Sequence, residues 1–96
     1  MSNLEKIIFT AIRHVVVNEA DYDFPEFISA VIASSSIRPW HLSEHLGISR
    51  QRFFSFQNKK YFRKPREKEL EKIAEYFGIP QDLLARKANE YRGDDQ

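Results

Sequence analysis

The spacing of apolar residues and the placing of prolines and glycines predict an all-α protein built from six helices. Apolar residues recur at three- and four-residue steps, beginning with Leu4, Ile7, Ile8, Ala11, Ile12, Val15 and Val16, the period of one helix face. Each of the four prolines, Pro25, Pro39, Pro65 and Pro80, can occupy the first turn of an apolar-periodic segment, where a missing N–H leaves no hydrogen bond unmade. Gly47 and Gly78 follow Leu46 and Phe77, where a left-handed residue commonly ends a helix.

Taken in order, the first helix spans residues 4–17. Val15, Val16 and Val17 have strand propensity, but no other segment reads as a partner for them. Asp23 is placed to cap a second helix over 25–35, and Ser34, Ser35 and Ser36 make a polar break after it. A third helix covers 39–46 and a fourth 49–58, with Gly47, Ile48 and Ser49 between them. The fifth covers 65–77. Its acids Glu67, Glu69, Glu71 and Glu75 alternate with Lys68 and Lys72, which reads as an exposed face with favourable charge at the helix start. The sixth runs from 80 to 91, and a short polar tail begins at Arg92. Residues 1–22 form a helix and its connection, and residues 23–91 the rest of a single domain.

Ninety-six residues suffice for one small core but not for a large catalytic cavity. The 42% apolar and 30% charged content is that of an ordinary globular protein. No apolar run approaches the roughly 20 residues that span a bilayer, so no membrane association is expected. The N-terminus carries no secretory pattern, and a chain without cysteine has neither disulfides nor a thiolate metal site. An intracellular protein is expected.

The net charge of +1 hides a strong asymmetry: residues 1–37 carry −3, residues 38–68 carry +7, and residues 69–96 carry −3. A basic centre between acidic flanks suits one polyanion-facing surface on an otherwise repelling body. The predicted helices 39–46 and 49–58 lie in that centre. Leu42, Ser43 and Leu46 supply the inward face of the first, Phe53 and Phe56 that of the second, and Ile48 fills the corner. Ser43 is small enough for a close crossing, Gly47 accepts a left-handed turn, and Ser49 can cap the next helix. Such a pair fits DNA because a helix enters the major groove and presents side chains to base edges. The opposite face of helix 49–58 shows Arg50, Gln51, Arg52, Phe54 and Ser55. Arg can grip guanine O6 and N7, Gln adenine N6 and N7, and Phe can lie against a thymine methyl. The competing reading of Phe54 is that it packs on the N-terminal helix or on a partner subunit. Residues 58–64 then form a basic loop with Tyr61 and Phe62 interleaved, one of which is expected to anchor the loop to the core.

From about Phe27 to Leu84 the chain resembles the Cro/CI-type (XRE family) helix-turn-helix domains of phage repressors, bacterial regulators and some antitoxins. The resemblance rests on Leu42, Leu46-Gly47-Ile48-Ser49-Arg50, Asn58, Lys64-Pro65, Leu70-Glu71-Lys72-Ile73-Ala74 and Phe77-Gly78-Ile79 through Leu84. It implies a five-helix lambda-repressor-like domain, to which helix 4–17 is an addition suited to dimerisation or to packing on the core. It assigns base reading to Arg50, Gln51 and Ser55, beside which Arg52 and Phe54 share the exposed face. Contact with the DNA backbone falls to Arg38, Trp40, His41 and Ser49 at the two helix starts, and to Asn58, Lys59, Lys60, Arg63 and Lys64 in the loop. Pro39, Ser43 and Lys59 depart from the Gln, Ala and Gly frequent in the family. The implied function is a transcriptional regulator, a repressor, working as a homodimer on a double-stranded DNA operator in a bacterial cytoplasm, whether host- or phage-encoded. The alternative is a protein-interaction module whose partner is a toxin or another regulator.

His41, Glu44 and His45 spell an inverted zinc-protease motif. Such enzymes need a third ligand and a cleft, and Leu42 and Leu46 already give that helix its inward face. The expectation is therefore a protein without metal, cofactor or catalytic residues.

Overall fold

Ile12 and Val15 are buried where the first helix, α1 (Asn3–Val17), packs along α2 (Phe24–Ser35). Four further helices follow: α3 (Pro39–Leu46), α4 (Arg50–Ser55), α5 (Glu67–Phe77) and α6 (Gln81–Glu90). The computed structural model describes the backbone of residues 3–91 and the side chains of residues 10–91, and among these residues there is no strand. The protein is all-α. The expected contributions of Leu4, Ile7 and Ile8, and the tail from Arg92, lie outside the described side chains.

Phe24, Phe27, Ile28 and Val31 of α2 form the floor of the core, onto which Leu42, Phe53, Phe56, Ile73 and Leu84 close from the later elements. Each is almost wholly buried. Truncating a buried Phe to Ala costs about 3–5 kcal/mol by transfer and cavity terms. α3 and α4 pack on one another, as do α5 and α6.

Local chemistry sets the helix ends. Asp23 accepts from the Glu26 N–H at 3.0 Å while the Glu26 carboxylate accepts from the Asp23 N–H at 3.0 Å, a reciprocal cap that satisfies two otherwise orphaned donors. With Asp23 as cap, α2 begins at Phe24, one residue before the expected Pro25. Pro39 occupies the first turn of α3. Gly47 and Gly78 end α3 and α5 in the left-handed region, at φ of 69° and 68°, where an L side chain costs roughly 1–2 kcal/mol. Ser36 takes the same conformation after α2.

Three more helices differ at their ends from the expectation. Helix 49–58 contracts to Arg50–Ser55. Beyond it Phe56, Gln57 and Asn58 donate three residues back, to the carbonyls of Phe53, Phe54 and Ser55, and the Asn58 carboxamide oxygen accepts the N–H groups of Lys60 and Tyr61 at 2.9 and 3.2 Å. That side-chain turn offers the backbone an alternative to another helical turn. Pro65 lies outside α5, because Glu69 accepts the Arg66 N–H at 2.7 Å and starts the helix at Glu67. Pro80 precedes the first residue of α6 rather than joining it, and the helix ends at Glu90.

One feature had no counterpart in the expected layout. Glu19–Asp21 forms a single 3-10 turn after α1, and Lys87 of α6 reaches it from the far end of the chain. Its ammonium donates to the carbonyls of Glu19 and Tyr22 at 2.6 and 2.7 Å and pairs with the Glu19 carboxylate at 2.9 Å. It also lies 5.5 Å from the centroid of the Phe27 ring. Lys87 is only 7% exposed, and those three acceptors match the three donors of an ammonium group. Arg86 adds a second contact to Glu19 at 3.1 Å.

Candidate nucleic-acid interface

Gly47 gives the chain its sharp corner between α3 and α4, and Ile48 is buried there. Ser49 then caps α4, its Oγ accepting the Arg52 N–H at 3.2 Å. Buried Leu42, Ser43 and Leu46 turn one side of α3 inward, and Phe53 and Phe56 do the same for α4 and the turn that follows it. What remains outside is a short face carrying Arg50, Gln51 and Phe54, all exposed.

Two residues expected on that face are not there. The Arg52 guanidinium grips the Glu69 carboxylate through Nε and Nη2, the latter at 2.7 Å, and also donates to the Lys64 carbonyl at 3.3 Å. Its side chain retains 21% of its exposure and that of Glu69 12%. The hydrogen bond from Arg52 holds the Glu69 carboxyl below its ordinary range, against the opposing effect of burial. Arg52 therefore ties α4 to the start of α5 and does not extend toward a ligand. Ser55 is buried, and its hydroxyl donates back to the Arg52 carbonyl. The helical wheel placed both outside because it counts a 100° step and ignores tertiary partners such as Glu69 of α5, which draws Arg52 inward.

The start of α3 carries a cluster of side chains rather than separate ones. The Trp40 and His41 rings stack with centroids 3.7 Å apart, and the Arg50 guanidinium lies 5.6 Å from the Trp40 ring centroid. Trp40 thereby bridges the two helices at the surface, on the same side as Phe54. Arg38 is exposed at the cap position of α3, where its carbonyl accepts from the N–H groups of His41 and Leu42.

The basic loop is held at both ends. Phe62 packs edge-on against Phe24 at 5.7 Å and Tyr91 at 4.7 Å, so Phe62 is the anchor and Tyr61 remains 63% exposed. Lys60, Arg63 and Lys64 are exposed, and the Lys60 ammonium lies 5.3 Å from the Tyr61 ring centroid. Lys59 behaves differently. Its ammonium pairs with Asp23 at 3.1 Å and Glu26 at 3.2 Å, and the bond to Asp23, followed by that to Glu26, raises its affinity for its proton. A phosphate has to compete with two carboxylates for it. Asn58 has its oxygen engaged in the loop turn, which leaves the carboxamide N–H groups as donors.

His41 and His45 do not converge on a metal site. His41 stacks on Trp40 and His45 packs edge-on against Tyr76 at 5.2 Å. Among the described residues no three His, Asp or Glu side chains form a group able to hold a metal ion, and no helix is long and apolar enough to cross a membrane. The surface thus combines two exposed polar side chains on a short helix, Arg50 and Gln51, an aromatic pair beside them, and a loop in which exposed Lys60, Arg63 and Lys64 accompany the carboxylate-paired Lys59. Hydrogen-bond donors near apolar contacts, backed by positive charge, are what recognition of a nucleic-acid groove requires. Comparison of the chain with protein-family models, with curated proteins and with solved structures found no match.

Proposed function

We propose that this protein is a sequence-specific DNA-binding regulator, a repressor of the Cro/CI-type helix-turn-helix class with a lambda-repressor-like domain. The observation that carries the reading is the α3–turn–α4 pair, with Arg50 and Gln51 on its outer face and a basic loop directly after it. In this reading α4 enters the major groove, Arg50 and Gln51 contact base edges, and Arg38, His41, Lys60, Arg63 and Lys64 hold phosphates. No cofactor, metal or catalytic step takes part. One short helix covers few base pairs, so a homodimer on a two-fold double-stranded operator supplies the remaining specificity. The site of action is a bacterial cytoplasm.

Selection of bound duplexes from a random DNA pool tests the proposal, since it reports binding, half-site and spacing together. Arg50→Ala or Gln51→Ala is expected to cost about 1–3 kcal/mol of affinity and to relax preference at one base position. A pool that never enriches overturns the reading.

A second reading has its own support. A groove of about 760 Å³ between α1 and α2, lined by Ala11, Val15, Tyr22, Ala30 and Ala33 among others, is open to solvent, and Val17 beyond it is 73% exposed. These favour a protein partner, as for an antitoxin or anti-repressor. Sedimentation of the chain alone, then with candidate partners, separates the two.

A further inference from the structure

Beside Arg50 and Gln51 lies a slot of about 340 Å³ whose other walls include Pro39, Trp40, Phe53 and Phe54. Its exposed surface is almost entirely carbon, although Trp40 is 40% and Phe54 59% exposed. Two large aromatic side chains left partly exposed around one slot offer an apolar surface beside the hydrogen-bonding groups of Arg50 and Gln51, and charge indicates the occupant. The slot sits in the segment of formal net charge +7; Arg52 and Lys59 of that segment pair with acids of the flanking segments, while Arg50, part of the slot's wall, stays exposed. That surrounding attracts a polyanion. In the major groove of DNA the apolar group displayed beside the base-edge hydrogen-bonding atoms is the C5-methyl of thymine. Arg50 and Phe54 are four residues apart on α4 and so neighbours on one helix face. The bidentate partner of an Arg in that groove is guanine.

We infer that the slot formed by Trp40 and Phe54 takes the methyl-bearing edge of a thymine adjacent to the guanine gripped by Arg50, so that the protein reads a thymine–guanine step. This rests on the DNA-reading proposal and adds the chemistry of one position to it. The stacking of His41 on Trp40 holds one wall in place before DNA arrives, and such preorganisation limits the entropy lost on binding.

The test uses an operator recovered by pool selection, with each thymine replaced singly by deoxyuridine, which removes only the methyl group. One position per half-site, next to a guanine, is expected to lose about fourfold in affinity, the factor implied by one buried carbon. In Phe54→Ala the same replacement is expected to make no difference, and Phe54→Leu is expected to restore part of the effect. Thermal melting of both variants confirms that they fold. The inference is overturned if deoxyuridine is tolerated everywhere, or if its effect is the same in wild type and Phe54→Ala. It is also overturned if Phe54→Ala changes sedimentation while the deoxyuridine effect persists, which assigns the slot to a protein contact. A pool that fails to enrich overturns the DNA reading together with the inference, whereas enrichment without a Phe54-dependent methyl effect overturns the inference alone.

Discussion

Arg52 lies on the helix proposed to read DNA, yet its side chain is engaged inside the protein, and its replacement by alanine distinguishes those roles. The change removes two charge-assisted hydrogen bonds to Glu69 and one to the Lys64 carbonyl. Hydrogen bonds to charged groups contribute about 1.5–3 kcal/mol each when a partner is left unsatisfied. Glu69 keeps the Arg66 N–H at 2.7 Å, which offsets part of that loss, so the expected destabilisation is about 2–3 kcal/mol. For a domain of this size that corresponds to a fall in Tm of roughly 10–20 °C. Arg52→Lys keeps the charge but not the fork and is expected to recover less than half. Urea unfolding of Arg52→Ala, Glu69→Ala and the double variant gives the coupling directly. A value above about 1 kcal/mol is expected, compared with about 0.5 kcal/mol for an exposed pair. Base preference in pool selection is expected to be unchanged. Weak coupling together with altered base preference would show that Arg52 faces DNA and that the assignment here is wrong.

Lys87→Met should destabilise by about 3 kcal/mol, because it leaves the Glu19 and Tyr22 carbonyls without their buried donor; chemical denaturation checks it, and a loss under 1 kcal/mol would contradict the clamp. In binding assays across ionic strength, Lys60→Ala or Arg63→Ala should flatten the slope by about 0.9 per lost phosphate contact. Lys59→Ala should leave it nearly unchanged, since Asp23 and Glu26 already neutralise that ammonium. Acid should destabilise the fold through three carboxylates whose folded pKa values lie below the ordinary one: Glu19 by its hydrogen bond from Lys87, Glu26 by the Asp23 N–H and then Lys59, and Glu69 by Arg52. Their contribution is present above the unfolded carboxylate value of about 4.3 and is lost as pH falls through the lower folded values. Tm should therefore hold from neutrality to about pH 5 and then drop, and the drop should be smaller in Glu19→Gln/Glu26→Gln/Glu69→Gln.

Local signals in the chain carried the architecture a long way. The apolar period, Asp23, Pro39, Gly47, Ser49 and Gly78 act through their immediate neighbours, and α1 to α6 follow from them within a few residues. Some errors are local, as where the Asn58 side-chain turn ends α4 early, and the larger ones fall where a distant group intervenes. Glu69, 17 residues from Arg52, draws that side chain off the exposed face and also starts α5 two residues late. The 3-10 turn at Glu19–Asp21 is completed by Lys87, 68 residues away from Glu19, and no spacing rule connects them.

The same division runs through the candidate interface. Sequence alone determined that residues 38–68 are basic, that Gly47 breaks two short amphipathic helices, and that Arg50, Gln51 and Phe54 share the outward face, because periodicity and charge are properties of consecutive residues. Tertiary structure decided which cations remain available. It withdrew Arg52 and Ser55, neutralised Lys59 with the α2 cap, fixed the loop through Phe62, and brought Trp40 beside Phe54. Those outcomes depend on which partners folding carries within a few ångströms of each group, a distance that the order of residues does not contain.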